Sequence, residues 1–436
     1  MLLVYTYKVN NRIRHIFNLI FHDLLQIDLN FTTKASEFIA YDGPKINYSF
    51  HKLGDEIYFF PANLLFETEI KQQTIEFVEF DGIKCPFPVF KDSYFPFDPF
   101  AAAFYLTTRY EEYLPFRKDK YDRFDASESL AFNLGFLKKP MVNIWANKIA
   151  VIIHDRFPQL IFPERKYRFI PTIDIDSAWA YKQKGFIRNC AGYLKSLIEL
   201  NFQEITDRTK VITGIEKDPF DTFAFQFELL KKYNLKPIYF ILFAGYGQFD
   251  KNINVFNRKF QSLIKSIADY AEVGIHPSFA SNSEPQKLYT EINNLKGVLN
   301  REVTKSRQHF LKINFPSTFR NLIEADIAED YTLGFASEIG FRASICDPFY
   351  FYDLDLERET PLRLFPFAIM EGTLRDYQNV SAPDSLNHIK PIIDEVKAVK
   401  GTFISLWHNE SLSNKKRWIG WDKAYEEMIK LAQPVQ

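Results

Sequence analysis

Two aspartates, Asp174 and Asp176, close an apolar stretch with the sequence RFIPTIDIDSAWA at residues 168–180. Ile173 and Ile175 alternate with them, which predicts a β-strand. Side chains two residues apart on a strand point to the same face. Both carboxylates are therefore expected to face the same way where the strand ends, and such a pair could do chemistry.

Other polar residues follow predicted strands later in the chain. The chain has only eight histidines, and three of them, His276, His309 and His408, fall at such ends. Any one of these residues alone could be structural, and the aspartates could merely cap the following helix. Their convergence favours a site, because the active site of a β/α barrel lies at the carboxyl ends of its strands. The other histidines lie in segments without further candidate residues and are interpreted as structural: His15, His22, His51, His154 and His388.

These residue types favour a metal-dependent hydrolase. A catalytic zinc ion takes three ligands from histidine nitrogen and carboxylate oxygen and keeps a position open for water. The ion lowers the pKa of its bound water to about 7 and polarises a carbonyl oxygen. A second carboxylate can take the water's proton, and a further histidine can protonate the leaving group. The sequence thus predicts one divalent metal ion, with Zn²⁺ the first choice.

Four motifs resemble those of the polysaccharide deacetylase superfamily (NodB homology, carbohydrate esterase family 4). TIDID at 172–176 lies where that family has T-F-D-D-G, and GIHPS at 274–278 matches the start of its H-S/T-x-x-H metal motif. SRQHF at 306–310 stands where the family has an arginine-containing motif, and SLWHNE at 405–410 matches its late strand with the acid histidine. The chain is most similar to a divergent branch with an extra N-terminal domain.

The resemblance implies roles for the residues in these motifs. Asp174 would be the catalytic base and Asp176 a metal ligand, although the second carboxylate is displaced by one residue from the family's pattern. His276 would be another ligand and His408 the catalytic acid.

One departure affects the metal site. The family's second metal histidine would stand at Ala280, so we expect His309 to replace it from the neighbouring strand. The remaining residues at the strand ends are assigned to substrate binding: Arg307, Arg342, Glu371, Trp407 and Asn409.

The elements that must position these residues are predicted to alternate as strands and helices. After residue 162 the alternation is regular, which favours parallel strands. The resemblance implies a (β/α)7-type barrel over 163–436, preceded by a smaller α/β accessory domain over 1–162. Residues 331–342 are predicted as a strand, and the aromatic segment 347–353 as a loop that would suit sugar stacking.

Composition limits the classes of partner. With 25% charged and 46% hydrophobic residues and a net charge of −1, the chain is typical of a soluble globular protein, and neither nucleic acid nor an anionic membrane surface is favoured. Three widely spaced cysteines argue against a disulfide framework. The N-terminus carries charges within its apolar stretch, which fits neither a signal peptide nor a membrane span. A cytoplasmic location is expected.

The predicted function is removal of an N-acetyl or related acyl group from a sugar, in cell-surface polysaccharide biosynthesis. Two alternatives stay open. The missing motif histidine would suit a catalytically silent carbohydrate-binding relative. A glycoside hydrolase is the other alternative, but its two carboxylates flank the scissile bond, and acids two residues apart on one strand fit that reaction poorly.

Overall fold

The computed structural model describes residues 1–89 and 92–434. The strands described in the first 160 residues are β1 (Leu2–Tyr5), β2 (Leu29–Thr32), β3 (Lys45–Tyr48), β4 (Ile57–Phe59), β5 (Phe77–Phe80) and β6 (Ile83–Pro86). The α-helices of this region are α1 (Asn11–Phe17), α2 (Ala35–Ala40), α3 (Pro99–Thr107), α4 (Leu130–Asn133) and α5 (Met141–Arg156). The first four strands form a parallel sheet in the order β2-β1-β3-β4, and β5 and β6 form an antiparallel hairpin.

The rest of the chain alternates strands with helices up to residue 330, as predicted. Between residues 329 and 370, all of which are described, four strands follow one another without an α-helix between them. Its strands are β7 (Arg168–Ile175), β8 (Ile238–Ile241), β9 (Glu272–Ile275), β10 (Lys305–Ser306), β11 (Glu329–Asp330), β12 (Phe349–Asp353), β13 (Arg358–Leu364), β14 (Ile369–Met370) and β15 (Thr402–His408). Its α-helices are α6 (Phe186–Ile198), α7 (Phe202–Ile212), α8 (Phe223–Tyr233), α9 (Arg258–Ala268), α10 (Pro285–Leu299), α11 (Ser317–Glu324), α12 (Ser385–Ala398) and α13 (Trp421–Ala432). Short π-helical or 3₁₀ turns complete the helical structure: Asn18–Leu24, Asn63–Phe66, Tyr110–Tyr113, Ala126–Glu128, His309–Leu311, Thr373–Tyr377, Asn409–Ser413 and Lys416–Trp418.

The second sheet has nine strands in the described part of the chain, and β7 lies in its interior. Its order is β12-β13-β11-β10-β9-β8-β7-β15-β14, and all neighbours are parallel except β12 and β13. Strands β8 to β13 lie on one side of β7 in the sheet, and β15 and β14 lie on its other side. Within residues 1–89 and 92–434 no ladder joins β13 to β14. The mixed α/β fold with a parallel sheet is confirmed, while closure into a barrel stays a prediction.

Strand β7 is buried on both faces, which is usual for a central parallel strand. Ile173 and Ile175 are fully buried, and so are Thr172 and Asp174 on the alternate face. On the concave side of the sheet, aromatic residues from non-adjacent strands meet: the rings of Phe240 (β8) and Tyr331 (after β11) lie 5.2 Å apart. The sheet is therefore strongly curled around this interior.

Two predicted elements differ from the structure. Residues 331–342 follow the two-residue strand β11 and are irregular, although most are buried. The segment predicted as a loop for sugar stacking forms β12 at the edge of the sheet, where Phe349, Phe351 and Tyr352 are almost fully buried. Both segments are apolar, and burial within irregular structure or at a sheet edge cannot be distinguished by apolar content alone.

The predicted boundary between residues 1–162 and 163–436 stays a prediction, and the two regions are in contact. Across the contact lies a buried ionic network. The Glu112 carboxylate accepts hydrogen bonds from Nε of Arg109 (2.8 Å) and of Arg342 (2.9 Å). Arg109 also donates to the carbonyl oxygen of Arg342 and to Glu111.

In the described part of the chain, no helix has both the length and the apolar content needed to cross a bilayer.

Loss of the central carboxylate of this network should destabilise the chain. Glu112→Ala would leave the buried Arg342 guanidinium without its counter-charge and Arg109 with Glu111 alone. We expect the free energy of unfolding to fall by about 3–5 kcal/mol in denaturant titrations. The control is Glu128→Ala, because Glu128 pairs with Arg117, whose side chain is 84% exposed. That variant should lose no more than about 1 kcal/mol. Equal losses in the two variants would contradict the importance of the network.

Candidate functional site

The candidate residues meet at the carboxyl edge of the parallel sheet. Asp174 is the next-to-last residue of β7, and the ladder places it directly opposite His408, the last residue of β15. His276 follows β9, and its backbone N–H donates to the Ile241 carbonyl at the end of β8. Arg307 follows β10, and its N–H donates to the Ile275 carbonyl. The same backbone pairing that builds the sheet therefore brings these side chains together.

Asp176, His276 and His309 form a compact group of metal-ligand type, and one ligand atom of each lies within 4.8 Å of those of the others. Nε2 of His276 is 3.3 Å from Oδ1 of Asp176, and Nε2 of His309 is 3.6 Å from Oδ2. The Asp176 side chain is 38% exposed, whereas that of Asp174 is 2% exposed. Of the two aspartates, Asp176 is thus the one that opens towards the cavity.

Both histidines are held through their other ring nitrogen. Nδ1 of His276 lies 2.5 Å from the carbonyl oxygen of Arg307, which can only accept, so Nδ1 carries the proton. Nδ1 of His309 lies 2.8 Å from Oδ1 of Asp250, whose carboxylate also accepts from the Phe279 N–H. When the rings are neutral, a proton on Nδ1 leaves the Nε2 lone pair of each histidine free to bind a metal. Metal-binding histidines usually donate their other ring N–H to a carbonyl or carboxylate in this way.

The electrostatics of this group also fit a cation. Burial alone would lower the pKa of His309, but the Asp176 and Asp250 carboxylates raise it to about 9. Burial alone would raise the pKa of Asp176, but His309 and His276 hold it well below its ordinary value. Oδ1 of Asp176 is buried without a hydrogen-bond partner. A divalent ion would satisfy that oxygen, so the residues fit a metal of the Zn²⁺ type.

Asp174 has a different partner from Asp176. Its Oδ1 accepts a hydrogen bond of 2.8 Å from Nη1 of Arg307, which is itself fully buried. Its Oδ2 lies 3.7 Å from Nε2 of His276. Arg307 also donates to Oγ1 of Thr172 and to the carbonyl of Tyr331. Asp174 therefore has one oxygen fixed by the arginine and the other beside the metal-ligand group.

His408 is oriented by Glu371. One carboxylate oxygen, Oε1, accepts from the backbone N–H of His408 at 2.9 Å and pairs with its Nδ1 at 2.8 Å. Glu371 is fully buried. Burial alone would lower the pKa of His408, but Glu371, together with Asp176 and Asp174, raises it well above its ordinary value. Glu371 thus favours the charged form of the ring and leaves Nε2 for other partners.

These groups line one cavity of about 390 Å³. Its walls include Asp174, Asp176, His276, His309 and His408 together with Arg123, Phe310, Tyr377, Arg417 and Trp418. Arg123 comes from the N-terminal region. Its Nη1 donates to the Phe310 carbonyl at 2.7 Å and its Nη2 to the Tyr377 hydroxyl at 3.2 Å. The cavity is therefore built from both regions of the chain.

The residues assigned to substrate binding lie outside the walls of this cavity. Trp407 packs on the opposite face of β15 against Trp421 and Tyr425, and Asn409 donates to the carbonyls of Ser177 and Phe220. Arg307 and Glu371 stand behind Asp174 and His408, and Arg342 belongs to the network around Glu112. Their assignment to substrate binding stays a prediction, and their contacts are those of positioning residues.

Two residues of the site were not predicted. Asp250 lies nine residues beyond β8 in a loop without periodic pattern, and Arg123 lies in a polar loop far away in the sequence. The only sequence signal for Asp250 is its position in a loop that follows a strand of the predicted sheet, which is weak alone.

Comparisons with known proteins give distant matches. The profile of a family of unknown function, DUF7033, matches residues 2–158. No curated protein matches the chain. A provisionally named polysaccharide deacetylase from Mycobacterium smegmatis has 13% identity and a TM-score of 0.40, over 62% of this chain and 85% of that one. A polysaccharide deacetylase from Bacillus cereus has 10% identity and a TM-score of 0.30, over 61% and 88%. A CE4 family pseudoenzyme from Bacillus anthracis has 14% identity and a TM-score of 0.30, over 61% and 60%.

The geometry predicts about one divalent ion per chain, because catalytic zinc sites use three protein ligands. Elemental analysis of the purified protein should show the ion, and His276→Ala and His309→Ala should each lose it. Asp250→Asn should weaken zinc affinity by about 10–100-fold, since Asp250 orients His309. The control is His154→Ala, an exposed histidine of α5. Unchanged metal content in both ligand variants would contradict the site.

Proposed function

We propose that the chain is a metal-dependent hydrolase that removes an N-acetyl or related acyl group from a sugar. One observation carries the proposal: a single cavity contains both the Asp176–His276–His309 group and two further titratable side chains, Asp174 and His408. The choice of an amide on a sugar is supported by the motifs that resemble the deacetylase superfamily.

Asp176, His276 and His309 would hold the divalent ion. When bound, such an ion lowers the pKa of a water to about 7 and polarises the acyl carbonyl. The protein contributes the fixed positions of the donor atoms. The carbonyl of Arg307 sets the ring of His276, and the Asp250 carboxylate sets that of His309, so neither ring must be ordered when the ion binds.

Asp174 would act as the general base. Arg307 fixes Oδ1, and Oδ2 faces the group that would hold the ion. A base needs to contact only the attacking water, and a carboxylate held by a neighbouring arginine keeps its orientation between turnovers.

His408 would act as the general acid. Its Nδ1 is paired with Glu371, so the proton available for transfer is the one on Nε2. An amine is a poor leaving group until it is protonated, and the buried Glu371 carboxylate supports the charged form of the ring. Asp174 and His408 are opposite one another in the β7–β15 ladder, so base and acid project from neighbouring strands on the same face of the sheet.

A glycoside hydrolase is less well supported. That reaction needs carboxylates on both sides of the scissile bond. Here Asp174 and Asp176 come from one strand and both approach Nε2 of His276 within 3.7 Å.

We further propose that the reaction belongs to the biosynthesis of a cell-surface polysaccharide and takes place on the cytoplasmic side.

The two aspartates should respond differently to replacement by asparagine, and this tests the proposal. The assay is acetate release from N-acetylated glucosamine oligomers by the zinc-loaded protein. Asp174→Asn should keep its metal and lose about 10²–10⁴-fold in turnover, because proton removal contributes that much. Asp176→Asn should lose metal first and recover part of its activity in excess zinc. Rescue of Asp174→Asn by zinc would reverse the two roles, and full activity of both variants would refute the proposal.

Replacement of the acid should affect turnover without affecting the metal. His408→Ala should lower acetate release by about 10²–10⁴-fold while elemental analysis finds the wild-type zinc content. Glu371→Gln should lower it less, because the ring is retained and only its charged partner is lost. A His408→Ala variant that loses its zinc would show that His408 is a ligand instead.

A further inference from the structure

Helix α6 turns its apolar residues towards solvent. Ile187 is 83% exposed, Leu194 is 59% and Ile198 is 74%, and Ser196 is the residue of the helix that is buried. Ile187, Leu194 and Ile198 stand at intervals of seven and four residues and so lie on one face of the helix. We call this area the α6–α7 surface. It also includes the exposed residues Phe186, Leu197, Leu200, Phe202, Ile212 and Ile215.

An exposed apolar face of this extent needs an explanation. Isolated exposed apolar residues are normal, but contiguous patches mark binding sites for proteins or membranes. A surface helix of a globular protein normally buries its apolar face against the core. Helix α6 buries little, so its apolar face is available for another partner.

The surroundings of this face are basic and aromatic. Residues 182–216, which span both helices, contain six basic and four acidic side chains, a net charge of +2. The net charge of −1 for the whole chain does not reveal this local excess. Two exposed aromatic rings lie in the loop after β8, at Tyr246 and Phe256. The Arg188 guanidinium lies 4.1 Å and the Lys251 ammonium 4.7 Å from the centre of the Tyr246 ring.

The α6–α7 surface lies at the same edge of the sheet as the cavity. Helix α6 follows β7 after a loop that begins with Asp176, a wall of the cavity. Its Arg188 donates from Nη1 to the Asn252 carbonyl at 2.8 Å and from Nη2 to the Lys251 carbonyl at 3.0 Å. Lys251 and Asn252 lie in the loop after β8, which also contains Asp250, the partner of His309. The first turn of α6 is therefore tied to the loop that supports His309.

We propose that the α6–α7 surface docks on an anionic lipid bilayer. A helix with an apolar face and a polar face rich in lysine and arginine lies in the plane of a membrane interface, and aromatic rings are favoured there. Lysine attracts anionic headgroups but is depleted in protein–protein interfaces. A second copy of the chain would also bring one net positive surface against another. Charge therefore favours lipid as the occupant.

The docking has a consequence for the substrate, which rests on the proposed function. A cavity beside a membrane-bound surface would meet acylated sugars that are carried on a lipid at that surface. The substrate class would then be a membrane-held acylated sugar rather than a free one.

Vesicle co-sedimentation of the full-length, zinc-loaded protein tests the docking. The vesicles are phosphatidylcholine with and without phosphatidylglycerol, and binding should require the anionic lipid. Ile187→Asp should lower the partition coefficient by about tenfold or more, because one large apolar side chain is no longer buried. Lys195→Gln should lower it by about fivefold, on anionic vesicles alone. The matched control is Ile161→Asp, because Ile161 is 80% exposed but precedes β7, at the opposite edge of the sheet. It should bind as the wild type does.

Two outcomes would refute the docking. Equal binding by the wild type and Ile187→Asp would overturn it. A wild-type protein that ignores vesicles and forms a dimer that Ile187→Asp abolishes would also overturn it, in favour of a second copy. Acetate release from a water-soluble oligomer should be the same in Ile187→Asp and the wild type. Because binding is measured without turnover, an inactive protein that binds vesicles would contradict the proposed function and support the docking.

Discussion

The arrangement of the site depends on one buried cation, the guanidinium of Arg307. It is fully buried, with its centre 4.6 Å from the ring of Phe240 and 5.6 Å from that of Phe367. A buried charge without a counter-charge is very costly, so a carboxylate must stand beside it, and Asp174 does. The backbone carbonyl of the same residue fixes the ring of His276. One residue thus determines where both the proposed base and a proposed ligand lie.

Around this centre, two histidines that face the cavity are each held by a carboxylate that does not line it. Asp250 holds His309, and Glu371 holds His408. The supporting groups are nearly or fully buried, and the groups they orient reach the cavity. This division fits a site in which orientation is set before the substrate arrives, because a side chain with its rotamer already fixed loses little entropy on binding. The N-terminal region takes part as well, since Arg123 forms part of the cavity wall and Glu112 binds Arg342.

The sequence predicted the positions that follow from local pattern and chemical type. Alternation of isoleucine and aspartate predicted β7, and the rarity of histidine drew attention to His276, His309 and His408. It did not predict that Trp407 would face away from the cavity, although a period of two places the neighbour of His408 on the opposite face. Arg342 was placed at the end of a strand because its segment is apolar, whereas its position depends on a long-range contact with Glu112. Such contacts leave no local signal, and the same holds for Arg123 and Asp250.

The paired like charges at the end of β7 can now be explained by their separate partners. Asp174 is neutralised by Arg307, and the charged ring of His408 is neutralised by Glu371. Two further carboxylates, Asp176 and Asp250, lie on either side of His309. With both ligand histidines neutral, this set carries two negative charges and no fixed cation. A divalent ion neutralises both negative charges, whereas a monovalent ion would leave one of them unbalanced. The strand can end in two carboxylates because only one of them needs the metal.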